Sequence, residues 1–425
     1  MWYDKLILLF RDKELRNKFL FVLFLFVVFR IAANIPIPGI GTEGLRNFFA
    51  QNQVFGLLNI FSGGALSNFS IVLMGLGPYI TATIILQLLT MIFPVLEKMY
   101  KEEGDAGRQK FNQYGRLLTI PLAAFEGFGM LTLFQRQGVI GELSLLMLVS
   151  SVVTVTAGAM FLMWLGEIIS EQGIGNGISL LIFAGIVASL PINIFQTFVS
   201  WDSSKIPSYV LFFVSSLIII AGVVFITEAR RNIPVSYAKR VRGGKMYGGS
   251  STYLPLNINP AGVIPIIFAL SILLFPGMIA GFLGGIPGTV GNVSNNIAAF
   301  FNDQWVHGIL YFALVIVFTY FYTAVTFDPK TIAENLQKMG GFVPGVRPGP
   351  STADFLKHIL NRVLFTGAMF LGLIAVLPNI VAGFTGVTGF TFLIGGTSLL
   401  IIVSVVLETV RQINSQMQMR EYDTF

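Results

Sequence analysis

Arg30 and Glu126 are the side chains with the clearest chemical potential, because each puts an ionisable group inside an apolar run. A charge at such a place is costly and normally meets a partner or water. For Arg30, at the end of "FLFVLFLFVVFR", the expected use is structural: helix packing or snorkelling. Glu126, in "IPLAAFEGFGML", has two readings: a packed, hydrogen-bonded or protonated carboxyl, and a polar contact between membrane spans. Glu167, Glu171 and Glu408 sit near the ends of apolar runs and suit interfacial positions. An ion-coupled transporter would carry more intramembrane carboxylates and broken helices, so the pattern leans away from charge-coupled transport.

Other chemistry fails on its own terms. The chain has no cysteine, hence no disulfide or thiolate metal site, and its two histidines, His307 and His358, lack ligand-spaced neighbours. "GIGTEG", Gly39 to Gly44, follows "NIPIP" rather than a strand of a βαβ unit, so it reads as a turn and not as a dinucleotide site. The Gly244-Lys245 pair has Lys239 where a phosphate-binding loop needs its first glycine. Zinc-protease and serine-hydrolase patterns are absent. The chain therefore reads as no enzyme, with no cofactor, and any driving energy must come from a partner or a gradient.

The elements that must position these residues are membrane spans. Of 425 residues, 54% are hydrophobic and 11% charged, against about 25% charged in soluble domains. Continuous runs of about 20 apolar residues match ~30 Å of hydrocarbon and exclude a barrel, whose strands alternate. The runs predict ten spans, near 19–35, 71–93, 117–135, 145–166, 177–198, 208–227, 260–283, 305–327, 363–382 and 389–409. The first follows a basic segment as a signal peptide would, but Arg30 and the lack of an A-x-A-like site favour a retained span. On one side of the predicted membrane lie 23 Lys and Arg, on the other three (Arg46, Arg136, Lys205), which predicts cytoplasmic termini. Ten spans divide into two sets of five, 1–204 and 205–413, with a tail over 414–425. Because five is odd, the second set enters from the opposite side, which allows an inverted arrangement with a site between the halves.

Three segments outside the spans stand out. "FSGGALSNFSI", Phe61 to Ile71, is too polar for lipid and too apolar for a watery loop; taken alone it is an interfacial turn. The loop over about 228–260 is basic and glycine-rich, and suits topology setting or docking of acidic partners such as RNA phosphates. In the second loop, about 328–362, Pro344, Pro348 and Pro350 stiffen a tip that holds Arg347 outward.

The sequence resembles the SecY family of bacterial protein-conducting channels over almost its whole length. The likeness rests on "FRIAANIPIPGI", "NIFSGGALSNFSI", "GPYITATIILQLL", "MFLMWLGEIISEQGIGNGISLLIFAGIVA", "PLNINPAGVIPIIFA", "DPKTIAENLQKMGGFVPGVRPG" and "GGTSLLIIVSVV", in that order. It implies an all-α protein of ten transmembrane helices in two inverted five-helix halves around an hourglass pore. It implies that 59–71 is a re-entrant plug helix, with Phe61, Leu66 and Phe69 resting on an aliphatic constriction. Ser62, Ser67, Asn68 and Ser70 would then face water, and Gly63 and Gly64 would form a hinge. By motif position the pore ring falls on Leu76, Ile80, Ile178, Ile182, Ile267 and Ile401, with Leu76 where isoleucine is more usual. The lateral gate is expected between spans two and three and spans seven and eight, with Gln87, Glu126 and Asn259 as polar gate residues. Glu126 departs from the neutral side chain common there. Arg240, Arg242, Lys245 and Arg347 are implied in docking, although Gly244 replaces one member of a usual basic pair.

The activity the resemblance implies is passage of unfolded secretory polypeptides across the bacterial inner membrane, with lateral release of transmembrane segments. The implied partners are the small subunits SecE and SecG, the ATPase SecA, the ribosome, signal sequences and the lipid bilayer. The runner-up is a secondary transporter for a small solute.

Overall fold

The computed structural model describes residues 12–38, 59, 62–199, 206–237, 240–242, 245–247, 251–283, 288–385 and 396–423. Within a bilayer every backbone N–H and C=O must be satisfied inside the segment, so apolar runs of this length wind into helices. Ten helices among the described residues fall on the ten predicted spans. The first half contains α1 (Lys13–Ala32), α2 (Gly77–Ile92), the short α3 (Pro94–Lys101), α4 (Gly104–Arg136), α5 (Leu145–Glu171) and α6 (Gly177–Val199). The second contains α7 (Ile206–Glu228), α8 (Ile264–Leu283), the short α9 (Thr289–Asn302), α10 (Gln304–Thr326), the short α11 (Pro329–Lys338), α12 (Pro350–Thr385) and α13 (Gly396–Asp423).

Local chemistry sets the boundaries. Asp12 caps α1 by accepting from the Glu14 and Leu15 backbone N–H groups at 2.9 and 3.4 Å. Asp303 caps α10 in the same way. Phe93 is extended before Pro94, and there the chain bends by 111° from α2 into α3. Several helices outrun their apolar stretches: α12 starts at Pro350, well before the predicted span at 363, and α4 starts at Gly104 rather than near 117. Hydropathy marks where lipid ends, whereas the hydrogen-bond ladder continues into water.

The first half is built from α4 packed on α2 and α5, α5 on α6, and α1 on α5 and α6; the second from α8 on α10, α10 on α12, and α7 and α12 on α13. The halves meet along two seams. In one, α8 packs against α2 and α4; in the other, α13 packs against α6.

The two basic loops are not irregular. β1 (Arg230–Tyr237) pairs antiparallel with β4 (Ser251–Asn257), and β5 (Gly341–Phe342) adds to the other edge of β1. A small hairpin, β2 (Arg240–Arg242) with β3 (Lys245–Tyr247), extends from it. Ile233, Leu256, Val343 and Leu356 form a separate small core beneath this sheet. The strands were missed because the apolar residues of 230–257 are few and divided between one short sheet and its rim.

Candidate functional site

The six expected ring residues lie at the starts of four helices. Leu76 is the residue before α2 and Ile80 sits in its first turn; Ile178 and Ile182 open α6, Ile267 opens α8, and Ile401 follows the start of α13. Leu76, Ile80, Ile182, Ile267 and Ile401 are buried members of one hydrophobic cluster, and Ile178, half-buried, packs against it. The cluster draws on both halves and on both seams. Ile401 is fully buried, and Leu76, Ile80 and Ile267 keep 7–8% exposure, so the chain closes over itself at this level.

Residues 62–76 do not form the re-entrant helix expected over 59–71. They run as consecutive turns, so the α2 span begins six residues later than predicted. Left-handed backbone at Gly63 (φ 68°), Gly64 (φ 84°), Phe69 (φ 48°) and Gly75 (φ 58°) interrupts any continuous α-helix. Phe61 lies outside the described residues. A Cβ on Gly63 would meet Gly185 Cα on α6 at 3.0 Å and the Phe29 ring on α1 at 3.1 Å, so this glycine permits a close approach as well as a turn.

The turn segment is bound to the end of α1. The Arg30 guanidinium donates to the Gly63 carbonyl. Asn68 Nδ2 donates to Asn34 Oδ1 at 3.0 Å. A short antiparallel bridge joins Pro36 to Ser70, with Ile37 N donating to Phe69 O and Ile71 N to Ile35 O, both at 2.9 Å. On the far side, a Cβ on Gly158 of α5 would sit 1.9 Å from the Ile71 carbonyl oxygen, so only glycine admits the chain there.

These contacts correct two expectations. Leu66 and Phe69 do not belong to the ring's cluster. They join Leu73, Ile37, Met130, Leu131, Phe134, Ile140 and Val155 in a second one, with the Phe69 and Phe134 rings 5.8 Å apart. The residues of the turn segment that reach the ring's cluster are Ala65, Ile71 and Val72, besides Leu76 itself. Ser62 and Ser70 are buried rather than water-facing; the Ser62 hydroxyl donates to Asn59 O at 3.0 Å and accepts from Leu66 N at 3.2 Å. The larger apolar side chains of the segment thus serve as anchors into α4 and α5.

Gln87 lies on α2, Glu126 on α4 and Asn259 just before α8, the three helices of the first seam. Each has a buried oxygen without a protein partner: Gln87 Oε1, Glu126 Oε1 and Asn259 Oδ1. Asn259 Nδ2 donates locally to Gly262 O at 2.9 Å. Glu126 meets α2, with the Thr81 hydroxyl in hydrogen-bond reach and Gly77 beside its other oxygen. The contacts described for Glu126 therefore bind spans two and three together, on one side of the expected gate.

Arg240, Arg242 and Lys245 lie on the small hairpin, whose register sets Arg242 opposite Lys245. Arg347 is exposed in the turn after β5, where Thr352 Oγ1 donates to its carbonyl at 2.9 Å and Gly345 and Gly349 take left-handed φ. Through β5 the Arg347 turn joins the sheet of β1 and β4, the strands that flank the hairpin in sequence, a link between distant loops that no local sequence signal carries. Arg30, expected to serve helix packing or snorkelling, donates to the Gly63 carbonyl; its position inside an apolar run was the available signal.

Ten helices, two seams and a central aliphatic cluster define a polytopic helical membrane protein. Residues 70–410 match the sequence model of the family described as SecY. The protein translocase subunit SecY of Streptomyces galbus is 44% identical over 434 residues, covering 98% of each chain. Among solved structures, one described as a protein-conducting channel superposes with a TM-score of 0.64 at 21% identity, covering 93% of this chain and 91% of its own. Sec61 in a canine ribosome–channel complex gives 0.61 at 21% identity, covering 93% and 91%. The chain belongs to the SecY family.

Proposed function

We propose that the chain is a passive, gated channel that passes unfolded secretory polypeptides across the bacterial inner membrane and releases apolar segments sideways. The observation that carries this reading is the clustering of Leu76, Ile80, Ile178, Ile182, Ile267 and Ile401 where α2, α6, α8 and α13 converge. Aliphatic side chains offer an ion nothing in place of its hydration shell, and a narrow apolar constriction dewets. The same side chains make no directional bonds, so an extended peptide of any sequence can slide past them.

In this reading the plug segment, about 59–71, stoppers the resting pore from the outer side, and Arg30 holds it through Gly63. The seam of α8 with α2 and α4 is the lateral exit, shut in this structure. A buried polar atom without a partner costs about 1–3 kcal/mol. The three unpartnered oxygens of Gln87, Glu126 and Asn259 therefore leave this seam less stable than an all-apolar one, which suits a contact that must open.

The sheet and its hairpin lie on the cytoplasmic side, with both chain termini, as the Lys and Arg distribution requires. Arg240, Arg242, Lys245 and Arg347 offer cations to an acidic surface: ribosomal RNA for clients made on the ribosome, or the ATPase SecA for finished chains. SecE and SecG would complete the complex.

A client stalled midway and carrying a photo-cross-linker tests the reading. Adducts at Ile80 and Ile401 are expected. A client that labels only lipid-facing positions, or tight saturable uptake of a small solute by vesicles without any ATPase, would overturn it.

A further inference from the structure

The short helix α9, which follows the seam helix α8, sorts its residues onto three faces. Gly291 and Ser294 are buried against the bundle, where α9 packs on α8 and α10, and Phe301 reaches the central cluster. Asn292 and Asn296 are exposed on a polar face. Val290, Val293, Ile297 and Phe300 form a third face at helical spacing, and they are 43–56% exposed. No residue of α9 is charged.

A helix in water has no use for that third face, and a helix of 14 residues, about 21 Å long, cannot cross ~30 Å of hydrocarbon. Its depth follows from its neighbour. Exposed Asp303 caps α10 at the end of α9, Trp305 is 60% exposed beside it, and Ile309 one turn deeper is 67% exposed. A capping carboxylate, then an indole, then a bare aliphatic is the order of water, membrane interface and hydrocarbon. Phe300 lies five residues before Trp305, and its ring meets Phe301 edge-on at 5.7 Å.

We propose that α9 is an interfacial helix, seated with Val290, Val293, Ile297 and Phe300 among the acyl chains of the leaflet at the end of α8 remote from the β-sheet. The occupant of this face is lipid hydrocarbon. The stripe continues the exposed surface of Trp305 and Ile309, and its polar rim of asparagine and threonine presents no charge to a headgroup. Its attachment is thus indifferent to anionic lipid. Because α9 packs on α8, this seat fixes the depth of one wall of the lateral seam.

The absence of cysteine makes the test direct. Single variants Val293→Cys, Ile297→Cys, Asn292→Cys and Asn296→Cys in the full chain carry an environment-sensitive fluorophore in phosphatidylcholine vesicles. Lipids brominated near the top of the acyl chain should quench the first two labels several-fold more than the last two. Aqueous iodide should reverse that order, and exchanging a third of the lipid for phosphatidylglycerol should change neither. Equal iodide quenching at all four sites would place the helix in water and overturn the proposal. Stripe labels shielded from both quenchers would mean a protein occupant, such as a second copy, and would overturn it equally. A photoactivatable acyl chain, mapped on the unsubstituted protein, gives the same decision without any variant: adducts within 289–302 support the seat, and adducts on α10 alone refute it. Either result is independent of what the channel conducts.

Discussion

The central waist and the lateral seam are both buried, both built by helices from opposite halves, and chemically unlike. The waist gathers six aliphatic side chains. The seam, where α8 packs on α2 and α4, carries three oxygens without protein partners. Fully burying one such aliphatic is worth about 1.5–3 kcal/mol, whereas each unpartnered oxygen costs about 1–3 kcal/mol. In the proposed function this difference would let one region reseal whenever it is empty and the other part under a modest push. A channel with two exits needs this asymmetry, because the pore must close around any chain while the side door must stay shut without one.

Replacing Ile80, Ile178 and Ile267 together with glycine should break the comparison most severely. Single large-to-small changes in cores cost about 2–5 kcal/mol, and here the lost groups are also the barrier to hydrated ions. Resting vesicles should leak ions steadily, while the preference for intact over defective signal sequences, a property of the seam, changes little. Conductance that stays at background would remove the seal from the waist.

Gly158→Ala is expected next. Its Cβ would stand 1.9 Å from the Ile71 carbonyl oxygen, so the turn segment or α5 must move; overpacking of this kind costs about 1–3 kcal/mol. The expected readout is faster labelling of a reporter Ser67→Cys, with intermittent rather than steady ion leakage. Unchanged labelling would mean that α5 yields and the segment stays. Arg30→Met removes the donor to the Gly63 carbonyl, a hydrogen bond to a charged group worth about 1.5–3 kcal/mol. It should loosen the same segment from the α1 side, giving brief openings of a frequency comparable to those of Gly158→Ala. Silent channels with Arg30→Met would assign the guanidinium to helix packing alone.

The sequence carried the spans well and their ends poorly. Ten apolar runs became ten helices because a bilayer leaves the backbone no alternative, but α12 and α4 continue past the lipid where hydropathy no longer reports on them. The aliphatic cluster at the waist could be picked out only through family likeness, since a buried isoleucine and one facing lipid read alike in sequence. The turn segment was legible as an oddity, half-apolar and glycine-bearing, yet the packing of Leu66 and Phe69 was not. Their partners, among them Met130, Phe134 and Val155, lie far later in the chain. The β-sheet was invisible for the same reason: β5 joins β1 from more than a hundred residues away.

The finest expected effect falls on the seam itself. Gln87→Leu removes a buried amide oxygen without a protein partner and keeps a side chain of similar reach. If that oxygen is unpaid in the shut state and meets water or an incoming signal sequence in the open one, its loss stabilises only the shut state. A gain of about 1.4 kcal/mol would lower the open population on the order of tenfold. Defective signal sequences should then be rejected more strictly, with export of intact ones slowed less and the resting ion barrier untouched. Asn259→Leu should do less, because it also forfeits the 2.9 Å bond from Nδ2 to the Gly262 carbonyl and so frays the turn that starts α8. The two variants, compared in one export assay, separate the cost of the free oxygen from the worth of the turn. A Gln87→Leu channel that accepts defective signals more readily than the unsubstituted one would show that the seam is held shut by its polar atoms rather than weakened by them.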